Sequence, residues 1–279
     1  MVSKSVPGQS TESLRSLNAG WWHRLEYGRD LIRVLIAKEL RVRYRNTVLG
    51  YAWSVLHPLL FVAVYYLVFK VGLRFPTQDY VLFLISVIFA WQWFANSVNS
   101  SCNTFISNAD LIRRVPLPQH LLVLAMVLNN MIHFVLAIPI VVLLMLFFGY
   151  YPSVNWLWAM PLLLLIQFLL IYGICLILAT YNLILRDLER LTAIFTMALF
   201  FLSPIIFELD RVLQNLPSQY HWLVHLNPMV GLIAAWRSLF MRGAPPLDLL
   251  ISPLCYAAAA TIVGWTVYRK CQWRFAELV

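Results

Sequence analysis

Six uncharged polar side chains, Gln92, Asn96, Asn99, Ser100, Asn103 and Ser107, recur at steps of four, three, one, three and four. On a helix that spacing lays them along one stripe. An amide or hydroxyl in apolar surroundings is costly unless paired, so this face meets water or other protein. Two uses are open. The stripe can bond neighbouring helices together, as membrane bundles do. It can also form the wall of a conduit built from neutral hydrogen-bonding groups, which suits a hydroxyl-rich passenger better than an ion. A second stripe is aromatic. Trp53, His57, Phe61, Tyr65 and Phe69 stand four apart, with Tyr51 and Tyr66 beside them. Sugar rings present C–H faces that stack on such rings, so the stripe is a candidate track. Aromatic residues also serve membrane proteins as plain interfacial anchors.

Little else in the chain suggests bond-making chemistry. Within the long apolar runs the readily ionisable side chains are His57 and His133. An ionisable group there is a functional candidate, yet each imidazole can stay neutral and hydrogen-bonded, and Asn129 lies one turn before His133. A proton relay uses several carboxylates, and those runs hold none. His221 and His225 have the spacing of a metal pair, but no third ligand is near and HExxH is absent. Cys102, Cys175, Cys255 and Cys271 have neither disulfide-framework nor metal spacing. The phosphate-binding pattern GxxxxGK[ST] is missing, so any uphill work draws on a partner or a gradient. The lack of carboxylates for ion coupling favours a partner.

The elements that must position these stripes are membrane helices. The chain is 61% hydrophobic and 12% charged, with a net charge of +9. A soluble domain averages about 25% charged residues. No Lys, Arg, Asp or Glu occurs between Arg114 and Arg186, too long a gap for a soluble core. The basic excess flanks the apolar runs, so it reads as topology rather than as affinity for nucleic acid. Lys38, Arg41, Arg43 and Arg45 come directly before a charge-free run from Val48 to Phe69. A run of about 20 apolar residues spans a bilayer as a helix, and Lys and Arg hold their end inside.

The resulting layout is an all-α membrane protein. Residues 1–20 form a cytoplasmic tail, and 21–47 an amphipathic helix in the headgroup layer. A six-helix transmembrane domain fills 48–279. Its spans are expected at 48–73, 80–108, 120–148, 156–185, 191–207 and 247–268. An inner loop covers 109–119, and a re-entrant outer segment covers 208–246. Both termini then lie inside. Sixteen of the 21 Lys and Arg fall on the inner side: nine up to Arg45, two in each inner loop and three at the C-terminal end.

Three separated runs carry a family resemblance: KELRVRYRNTVLGYAWSVLHPLL, ADLIRRVPLP, and SPIIFELD with LNPMVGLIAAWR. Together they resemble the permease subunits of ABC-2 type polysaccharide exporters, which export O antigens, capsules and teichoic acids. The resemblance covers about Leu31 to the C-terminus. It implies a homodimer of six-helix subunits with two copies of an ATP-binding subunit, in a bacterial inner membrane. The passenger it implies is a lipid-pyrophosphate-linked polysaccharide. Nucleic acid is no partner, and no cofactor belongs to this chain, ATP and Mg acting in the partner subunit. The ATPase stroke would enter at the amphipathic helix and the inner loop, through Asp110, Leu111, Arg113, Arg114 and Pro116. Arg41, Arg43 and Arg45 become candidates to meet the lipid pyrophosphate, although they serve topology equally well. The two stripes become candidate channel walls. A gradient-driven flippase would instead need an essential titratable group in a span. A membrane enzyme acting on lipid-linked sugars would need Asp187 and Glu189, or Glu208, Asp210, His221 and His225, gathered at one interface.

Overall fold

The computed structural model describes residues 21–43, 50–74, 76–114 and 117–275. The expected tail 1–20, and with it Arg45 and Pro116, lies outside the described residues. Helix α1, Trp21–Arg43, falls in the stretch 21–47 where an amphipathic helix was expected. Its Leu35 is buried, while the adjacent Val34 faces outward.

The first expected span begins with a short 3-10 turn, Gly50–Ala52, and continues as α2, Trp53–Tyr65. It finishes in a wider π-helical turn, Tyr66–Gly72. Leu60, Val64, Leu67, Val68 and Val71 are exposed along it, as a lipid-facing surface would be. Helix α3, Tyr80–Thr104, is the centre of the bundle, and 19 of its residues are buried. A 3-10 elbow, Ile106–Asn108, turns it into α4, Ala109–Arg114. A loop was expected at 109–119, but six of those residues are helical. Asp110 in the first turn and Arg113 and Arg114 in the last complement the helix dipole.

Helices α5, His120–Phe147, and α6, Trp156–Asn182, follow. Helix α7, Leu188–Leu202, has 15 residues, a rise of about 22 Å. Where a span was expected at 191–207, the helix starts three residues earlier, ends at Leu202 and is too short to be one of the membrane-crossing helices among the described residues. Pro204 forces the preceding residue out of helical geometry, and Ser203 is extended at φ −98°, ψ 146°. The segment expected to be re-entrant holds α8, Leu209–Asn215, α9, His221–His225, and α10, Pro228–Arg242. Asn227 caps α10 by accepting from the Met229 N–H over 2.9 Å, with Pro228 at the first helical position. Helix α11, Ile251–Cys271, ends the bundle. Five of the described helices are long and apolar enough to cross a membrane: Val55–Gly72, Tyr80–Thr104, His120–Phe147, Trp156–Asn182 and Asp248–Arg274.

Close backbone approach joins α6 to α11. A Cβ added to Gly173 would lie 2.3 Å from the Ala260 carbonyl carbon, and one on Gly264 would lie 2.4 Å from the Gly173 oxygen. Helices in lipid gain their association from such packing and from buried hydrogen bonds. One buried chain of bonds crosses the bundle. Trp236 Nε1 donates to Gln167 Oε1 over 2.6 Å, and Gln167 Nε2 donates to the Ala90 carbonyl over 2.8 Å. It links α10 to α6 and α6 to α3.

Candidate functional site

Most of α3 is enclosed by α2, α5, α6, α7 and α10. Its residues that escape burial are Val81, Gln92, Asn96, Asn99, Ser100 and Asn103. All but the first belong to the amide stripe, and Ser107 continues the exposed line in the elbow. The most enclosed helix of the bundle thus has one open face, and that face is polar. An open amide face in hydrocarbon would be costly.

Rings line the neighbouring helix. Trp53 is 44% exposed and Phe61 40%; His57 is exposed, and Tyr65 and Phe69 are half-buried. Ring centroids are 4.9 Å apart for His57 and Phe61, 6.1 Å for Phe61 and Tyr65, and 6.1 Å for Tyr65 and Phe69. These distances suit edge-on and offset aromatic contacts. The side chain of Tyr51 lies outside the described residues.

The stripes meet in one groove. A cavity of about 380 Å³ is lined by Phe61 and Tyr65 from α2, by Trp91, Gln92 and Asn99 from α3, and by Thr196, Phe200 and Phe201 from α7. Phe200 stacks on Tyr65 at 5.6 Å and meets Trp91 edge-on at 5.5 Å. Thr196 donates to the Thr192 carbonyl at 2.7 Å and lies 3.4 Å from Asn99 Oδ1. Trp91, Thr196 and Phe200 are missing from the sequence-based candidates. Thr192, Thr196 and Phe200 stand four apart in an apolar run, and that period was the available signal. Asn96 is exposed but lines neither this cavity nor the next.

A second cavity, about 410 Å³, lies toward the elbow. Asn99, Ser100, Asn103, Thr104, Ser107 and Asn108 form one wall of it, and Glu39, Met126 and Glu189 complete it. Asn99 lines both cavities. At this end Lys38 donates to Asn108 Oδ1 over 2.6 Å, and Asn108 Nδ2 donates to the Thr104 carbonyl over 2.8 Å. Among the coupling candidates Asp110, Arg113 and Arg114 are exposed and Leu111 is half-buried. Ile112 between them is buried and anchors α4. Arg41 and Arg43 lie in the last turn of α1, and their side chains are outside the described residues.

The opposite end is held by Arg237 of α10. Its Nη1 and Nη2 donate to the carbonyls of Pro204 and Ile205 at 2.6 and 2.9 Å, and its guanidinium covers the Phe83 ring at 3.5 Å. Tyr80 adds a bond to the Ile206 carbonyl at 3.0 Å. The carbonyls freed where α7 breaks are thus satisfied by side chains. Burial pulls the Arg237 pKa down to about 9, with Glu208 opposing, so the charge remains at neutral pH. His221 Nε2 lies 2.9 and 3.0 Å from the carbonyls of Leu213 and Leu216, so the ring is held by backbone. His133 is half-buried, and Oδ1 of Asn129 is buried without a partner among the described residues, so no bond to His133 runs through that oxygen. Asp187 and Glu189 are exposed on the first turns of α7, and Asp210 on α8.

Comparison with known proteins is consistent with this architecture. Residues 30–241 match the family described as ABC-2 type transporter. The chain is 36% identical over 257 residues to the O-antigen export system permease protein RfbA of Klebsiella pneumoniae, covering 92% of this chain and 98% of that protein. It is 28% identical over 258 residues to the RfbA of Myxococcus xanthus, covering 90% and 96%. The polysialic acid transport protein KpsM of Escherichia coli is 22% identical over 247 residues, covering 85% and 92%.

Proposed function

This chain belongs to the ABC-2 type transporter family, and we propose that it is the membrane-spanning subunit of an ATP-driven exporter that carries a lipid-pyrophosphate-linked polysaccharide, an O antigen, across the bacterial inner membrane. It works as a homodimer with two copies of a separate ATP-binding subunit, and both its termini are cytoplasmic. ATP and Mg act in that partner, and this chain needs no cofactor of its own.

One observation carries the reading: the open face of α3 is the amide stripe, and it shares a groove with the rings of α2. Uncharged amides and hydroxyls exchange hydrogen bonds with sugar hydroxyls, while rings stack on the C–H faces of sugar units. Neither holds any one unit tightly, because each contact has an equivalent a few ångströms along the wall. Such a wall lets a polymer slide and gives an ion no reason to stop. Arg41, Arg43 and Arg45 would meet the pyrophosphate where the chain enters, cations being matched to phosphate oxygens. Movement delivered by the ATP-binding subunit to α4 would reach α1 through the Lys38–Asn108 bond. Arg237, holding the broken end of α7, would keep the exit shaped while the polymer passes.

The test is reconstitution. Co-expressed with its ATP-binding subunit and placed in vesicles, the pair should hydrolyse ATP and move lipid-linked polysaccharide to the far leaflet. A chain that binds no ATP-binding subunit, or that moves polymer without one, would contradict the proposal.

A further inference from the structure

The cavity near the elbow differs chemically from the aromatic groove. Two carboxylates, Glu39 and Glu189, face three amides, Asn99, Asn103 and Asn108, above the apolar Met126, and no Lys or Arg lines it among the described residues. Its volume of about 410 Å³ is within the range of small-molecule sites, about 300–1,000 Å³. We infer that this cavity is a binding subsite for the sugar residue next to the lipid pyrophosphate, and that it selects an uncharged hexose-type residue over an acidic one.

The donor and acceptor inventory supports that ligand. A carboxylate has two acceptor oxygens, which match two neighbouring hydroxyls on a sugar ring, and the amides of Asn99 and Asn103 supply donors and acceptors, the Asn108 amide being engaged by Lys38 and the Thr104 carbonyl. Phosphate or a uronic acid would meet two like charges at Glu39 and Glu189, while the neighbouring cation, the Lys38 ammonium, is engaged by Asn108. Position supports it too. Glu39 precedes Arg41 and Arg43 by two and four residues on α1. A sugar seated against Glu39 leaves its pyrophosphate about one helical turn away, at the cations proposed to hold it.

The cavity also spans three separate elements of the fold. Glu39 belongs to α1 and Glu189 to the first turn of α7, while Asn108 lies in the elbow that leads into α4. Asn108 accepts from Lys38, the neighbour of Glu39. An occupant therefore draws α1, α7 and the elbow together, so the coupling end senses that a sugar-bearing lipid has loaded. The inference deepens the exporter reading and rests on it.

The experiment uses the full chain with its ATP-binding subunit in lipid nanodiscs. The probes are a polyprenyl pyrophosphate, the same lipid bearing one neutral hexose, and the same lipid bearing one uronic acid. ATP hydrolysis is followed against the concentration of each. The hexosyl lipid should act at a concentration about tenfold below that of the bare lipid, the effect of roughly one or two polar contacts. Asn103→Ala and Glu189→Gln should bring that ratio to about one. The uronosyl lipid should be no better than the bare lipid. A second readout needs no hydrolysis. In a Cys255→Ser/Cys271→Ser background, Ser107→Cys, a cavity-lining position that keeps Asn103 and Glu189, should react with a maleimide, more slowly with hexosyl lipid and at an unchanged rate with bare lipid. A wild-type ratio of one, a ratio that survives both substitutions, or equal protection by the two lipids overturns the subsite. Sugar-specific protection without any lipid-stimulated hydrolysis would keep the subsite and remove the exporter reading.

Discussion

The Lys38 ammonium donates to Asn108 Oδ1 over 2.6 Å, joining α1 to the elbow below α3 across 70 residues of sequence. It is a charge-assisted bond in a partly buried place, of the kind that outweighs an exposed pair. Replacing Lys38 by Met should leave the subunits assembled but reduce the polymer moved per ATP several-fold. Export and hydrolysis measured on the same vesicles give that ratio. An unchanged ratio would mean that the bond is only structural.

Arg113 and Arg114 project from α4, whose Ile112 is buried. Reversing both charges, Arg113→Glu with Arg114→Glu, should weaken capture of the ATP-binding subunit by tenfold or more without unfolding the bundle. Quantitative co-purification checks this. Ile112→Ala should act differently, loosening α4 and lowering thermal stability.

The ring track is tested at Phe61 and Tyr65, both of which line the groove with Phe200. Alanine at either should cut polymer export severalfold, since a stacked ring contributes about 1–3 kcal/mol when its partner is a planar base and less against a sugar face. Membrane insertion should stay near normal. Because Phe200 was found only through the fold, Phe200→Ala should match Tyr65→Ala, with export and membrane-inserted protein measured side by side.

Gln167 bonds Trp236 and the Ala90 carbonyl at 2.6 and 2.8 Å inside the bundle. Gln167→Leu keeps the volume and strands both partners, which should cost about 1–3 kcal/mol. A lowered melting temperature of the purified protein in detergent is the expected sign. Gln167→Glu should do more harm, because it buries a charge.

At Gly173 an added methyl would collide with α11 backbone at 2.3 Å. Gly173→Ala should therefore separate α6 from α11 and destabilise by at least the ~1–3 kcal/mol typical of overpacking. Trypsin sensitivity and melting temperature both report it.

Much of this site was readable before any fold was known. The amide stripe follows from spacing alone, because a helix turns every 3.6 residues and polar groups at steps of three and four must share a face. The ring stripe follows in the same way. Thr196 and Phe200 were not read, because in an apolar run a groove-facing residue and a lipid-facing residue look alike. Arg237 stands in a mostly apolar run of the sequence, but its partners at Pro204 and Ile205 lie more than thirty positions away.

The sequence by itself determined that the chain crosses a membrane, which helix faces are polar or aromatic, and that no phosphate-binding loop is present. These are local properties, set by composition and by helical period. Only the tertiary structure decided that the amide and ring stripes border the same groove, that α7 completes it, and that Glu39 and Glu189 close a cavity at its end. Those pairings depend on how rigid helices cross, and crossing is governed by close contacts such as Gly173 on Ala260, which no single stretch of sequence contains.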